Sequence, residues 1–327
     1  MKRVLINILK ATVGLGILSI LCRRFSVSFS AFHSGLVNPL FLILASFLPL
    51  SVIPFVSINR WKMFLSETGI RERFWPLWKI NLVSTFQGLV LPSTQGVDAF
   101  RMYHIAKRHP EGVGGAAGSV LIERMIGVLV WCGIALVGLP LVLRHVETKW
   151  SIAIAVIGFS VAAVIGSLLV VSPRFHRLYA GRRPKMKVLA KVIGFLDKTH
   201  ETLVTFPYRK VLLSSIGLII VYQFCSITCV WLLFNAYGVS LPLYMHMAFY
   251  PVIAIIAMMP VTIGGFGVRE GAFAYFYSLV GVPAETSVCV SVANYVVLCL
   301  LPAALGALLW LWDLIERRGA NAHEIHG

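Results

Sequence analysis

A ten-residue pattern occurs twice in this chain, and the pair constrains the fold more than any other feature. Pro92-Ser93-Thr94-Gln95-Gly96-Val97-Asp98-Ala99-Phe100-Arg101 reads P-x-T-x-G-x4-R, and Pro260-Val261-Thr262-Ile263-Gly264-Gly265-Phe266-Gly267-Val268-Arg269 repeats it. Each shared position recurs 168 residues later (260 − 92, 262 − 94, 264 − 96, 269 − 101). Both copies end an apolar stretch with Pro and Gly, which break helices and favour turns, and then place an arginine close behind. Duplicated apolar segments interrupted by Gly or Pro point to the substrate site of a transporter built from two repeats.

Composition says which solvent those segments meet. Apolar residues make up 58% of the chain and charged residues 13%, with a mean hydropathy of +0.84. A soluble domain is about half apolar and about a quarter charged, so the chain reads as a polytopic membrane protein. The net charge of +16 does not point to nucleic acid, because the basic residues lie between apolar runs, where cytoplasmic loops and anionic headgroups place them. The six cysteines stand in or beside apolar runs without a CxxC spacing, and Cys225 and Cys229 are i, i+4 on one helix face. They read as reduced, buried thiols, with no metal site. No small-residue cleavage site follows the first apolar run, only Cys22-Arg23-Arg24-Phe25, so that run reads as a retained span.

A helix needs about 20 apolar residues to cross the hydrocarbon core. Six stretches qualify, at about 4–22, 38–58, 115–143, 151–172, 211–236 and 285–313. Two more, about 76–100 and 243–281, are broken by Pro and Gly and read as pairs of half-helices dipping into the membrane. Such backbone is tolerated at depth only where protein buries it or it lines a cavity. The segment 173–210 carries ten lysines and arginines against Asp197 and Glu201, which makes it a cytoplasmic loop. Within it, Lys187–Phe206 mixes apolar and basic positions, as part of an amphipathic helix on the inner leaflet would. Counting outward from this loop puts the basic stretch Arg60–Lys79 and both termini inside, and the 144–150 and 237–242 loops outside. Only Arg23-Arg24 resists the count. The expected fold is therefore all-α and a single membrane domain, with six full spans and two re-entrant hairpins in an inverted-topology repeat. Repeat one covers about 38–143 and repeat two about 211–313.

Charged residues at membrane depth are costly and by default functional. Asp98 and Arg101 follow the first Gly turn, Arg269-Glu270 follow the second, and Glu123-Arg124 interrupt the apolar run 118–140. Since each arginine has an acid within three positions, structural ion pairs are one account, and Glu123-Arg124 read as a structural or coupling pair. For Arg101 and Arg269 the sharper reading is phosphate recognition, because a guanidinium offers a fork of donors. A half-helix opening at a Gly turn adds backbone N–H groups. Thr94, Gly96, Thr262, Gly264, Gly265 and Gly267 complete the expected lipid-phosphate site with Asp98 and Glu270. No HExxH, Walker A or GxSxG sequence occurs, so neither a metal nor another cofactor is expected.

These residues carry a resemblance. Leu91-Pro92-Ser93-Thr94, Gly96, Asp98, Arg101, Ile122-Glu123-Arg124 and Met259-Pro260 with Gly264-Gly265-Phe266-Gly267-Val268-Arg269-Glu270-Gly271 resemble the membrane region of lysylphosphatidylglycerol synthases, which also occurs in stand-alone flippase-like proteins. The likeness runs over roughly 4–315. Where that family often has Gly-Gly before the Asp, this chain has Gly96-Val97, which loosens the first turn. The resemblance implies a lipid translocase fold with two inverted halves and broken helices, without the soluble aminoacyltransferase domain of the full synthases. The expected activity is movement of an anionic phospholipid or lipid-linked glycan precursor between leaflets of the inner membrane. Membrane lipids are the expected partners, together with an enzyme of envelope synthesis. Two other classes remain open: a membrane enzyme using Asp98 or Glu123 as acid/base, and a non-catalytic scaffold for a synthase. The opposed loop charges predict that a cysteine placed at position 178 labels only with reagents that reach the cytoplasm, and one at position 238 only with impermeant reagents outside. Labelling of both from one side would remove the inverted repeat.

Overall fold

The computed structural model describes residues 35–89, 96–144, 149–177, 187–258 and 265–325. Among these residues every regular element is helical. In chain order they are α1 (Pro39–Leu50), α2 (Val52–Glu67), α3 (Phe74–Gly88), α4 (Gly96–Arg108), α5 (Val113–Val142), α6 (Lys149–Val171) and α7 (Pro173–Arg177). They continue with α8 (Lys187–Thr205), α9 (Tyr208–Ala236), α10 (Leu243–Met258), α11 (Val268–Ser278), α12 (Ala284–Tyr295) and α13 (Leu301–Ile325).

Five stretches are long and apolar enough to cross a bilayer: Pro39–Glu67, Pro110–Val142, Trp150–Val171, Leu213–Ala236 and Ala284–Asp313. They coincide with five of the six expected spans, and the first, at 4–22, lies outside the described residues. The chain is thus an integral membrane protein. Two of the stretches are interrupted, and proline accounts for both interruptions. Pro54 has no N–H for the Leu50 carbonyl and its ring crowds that carbonyl, so α1 and α2 meet at Ser51, whose φ of −122° and ψ of −81° are not helical. Pro302 has the same relation to Leu298, and there the helix widens into a π-helical segment, Val296–Leu300. Single π turns within α-helices gather at functional sites.

The two Pro/Gly-broken regions each give a pair of shorter helices, α3 with α4 and α10 with α11, whose members pack on each other. In the first pair the chain doubles back. A Cβ on Gly88 would stand 2.6 Å from the Val97 nitrogen, so the end of α3 abuts the start of α4. At the opposite end Glu72, just before α3, meets Arg108 at the end of α4 and His109 just beyond it. The first members of the pairs then cross over: α3 packs on α13, and α10 packs on α5. Glycines make both crossings possible. A Cβ on Gly138 of α5 would stand 2.8 Å from the Ala248 nitrogen of α10, and one on Gly306 of α13 would stand 2.0 Å from the Leu82 carbonyl oxygen of α3. These glycines are themselves 168 residues apart (306 − 138).

The amphipathic stretch forms α8, and Thr199, His200, Leu203 and Phe206 are buried. Leu203 and Phe206 pack with Phe64, Ile122 and Ile126, while Gly114 and Gly118 of α5 let the α8 backbone and Thr202 come close. Part of its apolar face is therefore spent on the protein. Replacing Gly306 by Ala forces the α3–α13 crossing apart and should cost about 1–3 kcal/mol, as overpacking does. Gly133→Ala, where a Cβ meets nothing within 4 Å, should leave stability unchanged or slightly raised. Thermal unfolding of the detergent-purified variants checks the contrast.

Candidate functional site

Five charges from three helices form an alternating chain in the protein interior. Arg60 of α2 donates to Glu123 Oε1 of α5. Glu123 Oε2 accepts from Arg101 of α4 at 2.9 Å, and Arg101 also reaches Asp98 at 3.3 Å. Asp98 in turn accepts two bonds from Arg124, at 2.6 and 2.9 Å. The order is Arg60, Glu123, Arg101, Asp98, Arg124, positive at both ends. Arg60, Asp98, Arg101 and Glu123 are all buried, and aromatic faces cover the guanidiniums: Arg101 lies 4.0 Å over Trp61 and Arg60 4.9 Å over Tyr222. Three cations face two carboxylates, an excess of one positive charge.

Adjacent residues on a helix point in different directions, so Glu123 and Arg124 take different partners. The pair expected from their adjacency is replaced by bonds to α2 and α4. Arg60 is the residue sequence reasoning missed, because the expected span ended at 58 and Arg60 was counted into a basic loop. The helix instead runs to Glu67. The signal lay in Trp61, Met63, Phe64 and Leu65, which continue the apolar run past Arg60.

The second motif is built differently. Gly265 and Gly267 have φ of +73° and +83°, a region favoured only by glycine, so α11 does not begin until Val268. The corresponding first-motif positions are Val97 and Ala99, and there the helix begins at Gly96. Glu270 is fully buried. Its carboxylate accepts from the Gly267 N–H at 2.6 Å, from Arg269 Nε at 3.0 Å and from Ser291 at 3.2 Å. The α11 N-terminus is thus capped by its own acid, so Gly267 N–H is not offered to a phosphate as the sequence reading had it, and Glu270 holds Arg269 rather than a ligand. Arg269 Nε also donates to Ser291 at 3.2 Å, and its guanidinium lies 4.5 Å over the Tyr295 ring. Ser291 stands where Glu123 stands in the first half (291 − 123 is again 168). Arg101–Glu123 and Arg269–Ser291 are therefore the same contact made twice, once charged and once neutral.

A cavity of about 220 Å³ lies between these features. Gly88 and Val97 line it from the first helix pair, and Met258 and Arg269 from the second, with Arg124, Tyr250 and Tyr295. The π segment contributes Leu298 and Cys299. Two further cavities of about 170 Å³ each share Arg124 and Leu298 with it. Arg124, with about a third of its side chain exposed, lines all three. Arg101 reaches only one of the smaller two, with both its terminal amines committed to acids. In the first half the position facing the main cavity thus falls to Arg124 rather than Arg101. Gly96 is buried at the start of α4, and Asp98 is enclosed between Arg101 and Arg124. Thr94, Thr262 and Gly264 lie outside the described residues.

The lysylphosphatidylglycerol synthase TM region family matches residues 7–314. The chain belongs to that family. A UPF0104 membrane protein of Methanocaldococcus jannaschii is 22% identical over 286 residues, covering 84% of this chain and 85% of the relative. Two UPF0104 membrane proteins of Methanothermobacter thermautotrophicus are 21% and 23% identical, covering 91% and 82% of this chain and 92% and 84% of their own lengths. No solved structure matches the chain significantly.

Breaking the charge chain at its centre has a predictable cost. Glu123→Gln leaves Arg60 and Arg101 buried without their shared carboxylate, which should destabilise by about 3–5 kcal/mol and sharply lower the yield of monodisperse protein. Arg60→Met together with Glu123→Gln restores the excess of one positive charge and should recover most of that yield. Loss of activity at normal yield in Glu123→Gln alone would instead give Glu123 a direct part in function.

Proposed function

We propose that this protein is a lipid translocase that moves an anionic, phosphate-bearing lipid between the leaflets of the inner membrane. The observation that carries the reading is the central cavity with one arginine from each half, Arg124 and Arg269. The excess positive charge beside it suits an anion, since a buried charge is costly until it is paired. Guanidiniums bind phosphate bidentately, and residues such as Tyr250, Ile253 and Phe273 keep the rest of the cavity apolar.

In this reading α3–α4 and α10–α11 are re-entrant hairpins that reach the cavity from opposite faces of the membrane. The doubled-back first pair supports it. So do the reciprocal crossings of α3 on α13 and α10 on α5, with Gly138 and Gly306 at matching places. Inverted repeats with discontinuous helices at the midplane are a recurrent solution for alternating access. The termini and the 173–210 loop face the cytoplasm, from the loop charges. Asp98 and Glu123 are each bonded to two arginines, which assigns them to holding those arginines and weakens the case for a membrane enzyme using either as acid/base.

Lysine keeps the charge of arginine but loses the fork. Arg124→Lys and Arg269→Lys should therefore slow leaflet exchange of headgroup-labelled phosphatidylglycerol in proteoliposomes by about tenfold, nearly as much as the Ala variants. Mass spectra should show the lipid unmodified, and a covalently altered lipid would favour an enzyme instead. Full exchange in Arg269→Lys would mean that only charge is read there. Full exchange in both Ala variants would end the paired-arginine account.

A further inference from the structure

A second polar cleft, of about 660 Å³, lies between the α3–α4 pair and α13. It shares no lining residue with the central cavity or its two neighbours. Lys79, Lys107 and Arg108 line it with Asp313, and Glu72 outside the lining pairs with Arg108, which leaves an excess of one positive charge. Lys79 is already paired with Asp313 across the α3–α13 seam. Lys107 has no ion pair among the described residues, and Arg108 holds Glu72 only at 3.4 Å. Deeper in, Gln87 and His104 bond to each other at 2.8 Å. Burial, and then the charges of Arg108 and Lys107, lower the pKa of His104. The unpaired positive charge of the cleft is that of Lys107, with Arg108 beside it in a long ion pair to Glu72.

The surroundings set the depth of this cleft. Tyr103 at its edge and Trp75 and Trp312 nearby in sequence on α3 and α13 are more than half exposed, as are Leu308 and Ile315 along α13. Exposed aromatics gather at the headgroup level, with aliphatic residues beyond them in the hydrocarbon. A basic cleft in that zone faces lipid phosphates. Lysines and arginines near a membrane surface attract anionic lipid, and a cleft with an unmatched charge excess gives that attraction a fixed place.

We infer that the cleft between α3–α4 and α13 is a separate binding site for the phosphate of an anionic lipid headgroup, held by Lys107 and Arg108 with the acyl chains along α13. Its service as a loading site for the central cavity rests on the translocase reading, whereas lipid binding there does not. The α3–α13 seam, closed where Leu82 meets Gly306, separates the two compartments.

The test uses the full-length protein in detergent with short-chain phosphatidylglycerol as probe, phosphatidylcholine as the uncharged-net control and inorganic phosphate as competitor. Both lysine and arginine are exposed, so K107Q/R108Q should fold as the parent does. That variant should weaken binding of phosphatidylglycerol at one class of site at least about tenfold, and leave the class removed by R269A in place. The wild-type binding lost in K107Q/R108Q should also fall with added salt. Displacement by inorganic phosphate would place the affinity in the phosphate group alone, and resistance to it would place the affinity in the lipid. Unchanged phosphatidylglycerol binding in K107Q/R108Q, or equal binding of phosphatidylcholine to the same class, overturns the site. If Lys107-dependent binding persists while wild-type proteoliposomes show no leaflet exchange, the site stands and the translocase reading falls.

Discussion

Everything near the centre of this protein depends on the alternating charge chain from Arg60 to Arg124. Three of its four links join different helices, α2 to α5, α5 to α4 and α4 back to α5, and the fourth, Arg101 to Asp98, lies within α4. A buried ion pair is a poor source of net stability, because desolvation offsets most of the Coulomb attraction. Its strength here is directional. Removing one member strands its neighbours, so the three helices are held in one arrangement rather than merely held together. Trp61 and Tyr222 complete the enclosure by covering the guanidinium faces, and the one end of the chain left partly open is Arg124.

The two halves share a plan but not a chemistry. Positions separated by 168 residues supply the arginine, the side chain that arginine meets and the glycine at each helix crossing. Yet the first half meets its arginine with a carboxylate and the second with a serine. The second half instead recruits Glu270 from the next residue along, which also caps α11. The outcome is a charged, tightly bonded first half and a compact, locally neutral second half, with the cavity between them.

Much of this was legible in the sequence. Hydropathy located five spans, although it ended the first at 58 where the helix runs to Glu67, because the length of an apolar run is set by the bilayer and needs no knowledge of partners. Pro and Gly marked the two broken regions for the same local reason. Partner choice was not legible, since Arg60 and Glu123 are 63 residues apart and only the packed helices bring them together. The adjacency of Glu123 and Arg124 was misleading, because neighbours on a helix diverge. Arg60 was hidden because the expected span stops at 58, two residues before it, whereas the helix runs on to Glu67. Val97, standing where the second motif has Gly265, announced that the first turn would differ, although not that α4 would begin as early as Gly96.

The crossed packing of α3 on α13 and α10 on α5 bears on how such a molecule can deform. A cut between the halves in sequence does not separate two mechanical bodies, because each half has lent its first short helix to the other. Displacing α13 carries α3 with it through the Gly306 contact, and displacing α5 carries α10 through Gly138. The units that can slide as wholes therefore each join a long span to a short helix from the other motif's pair.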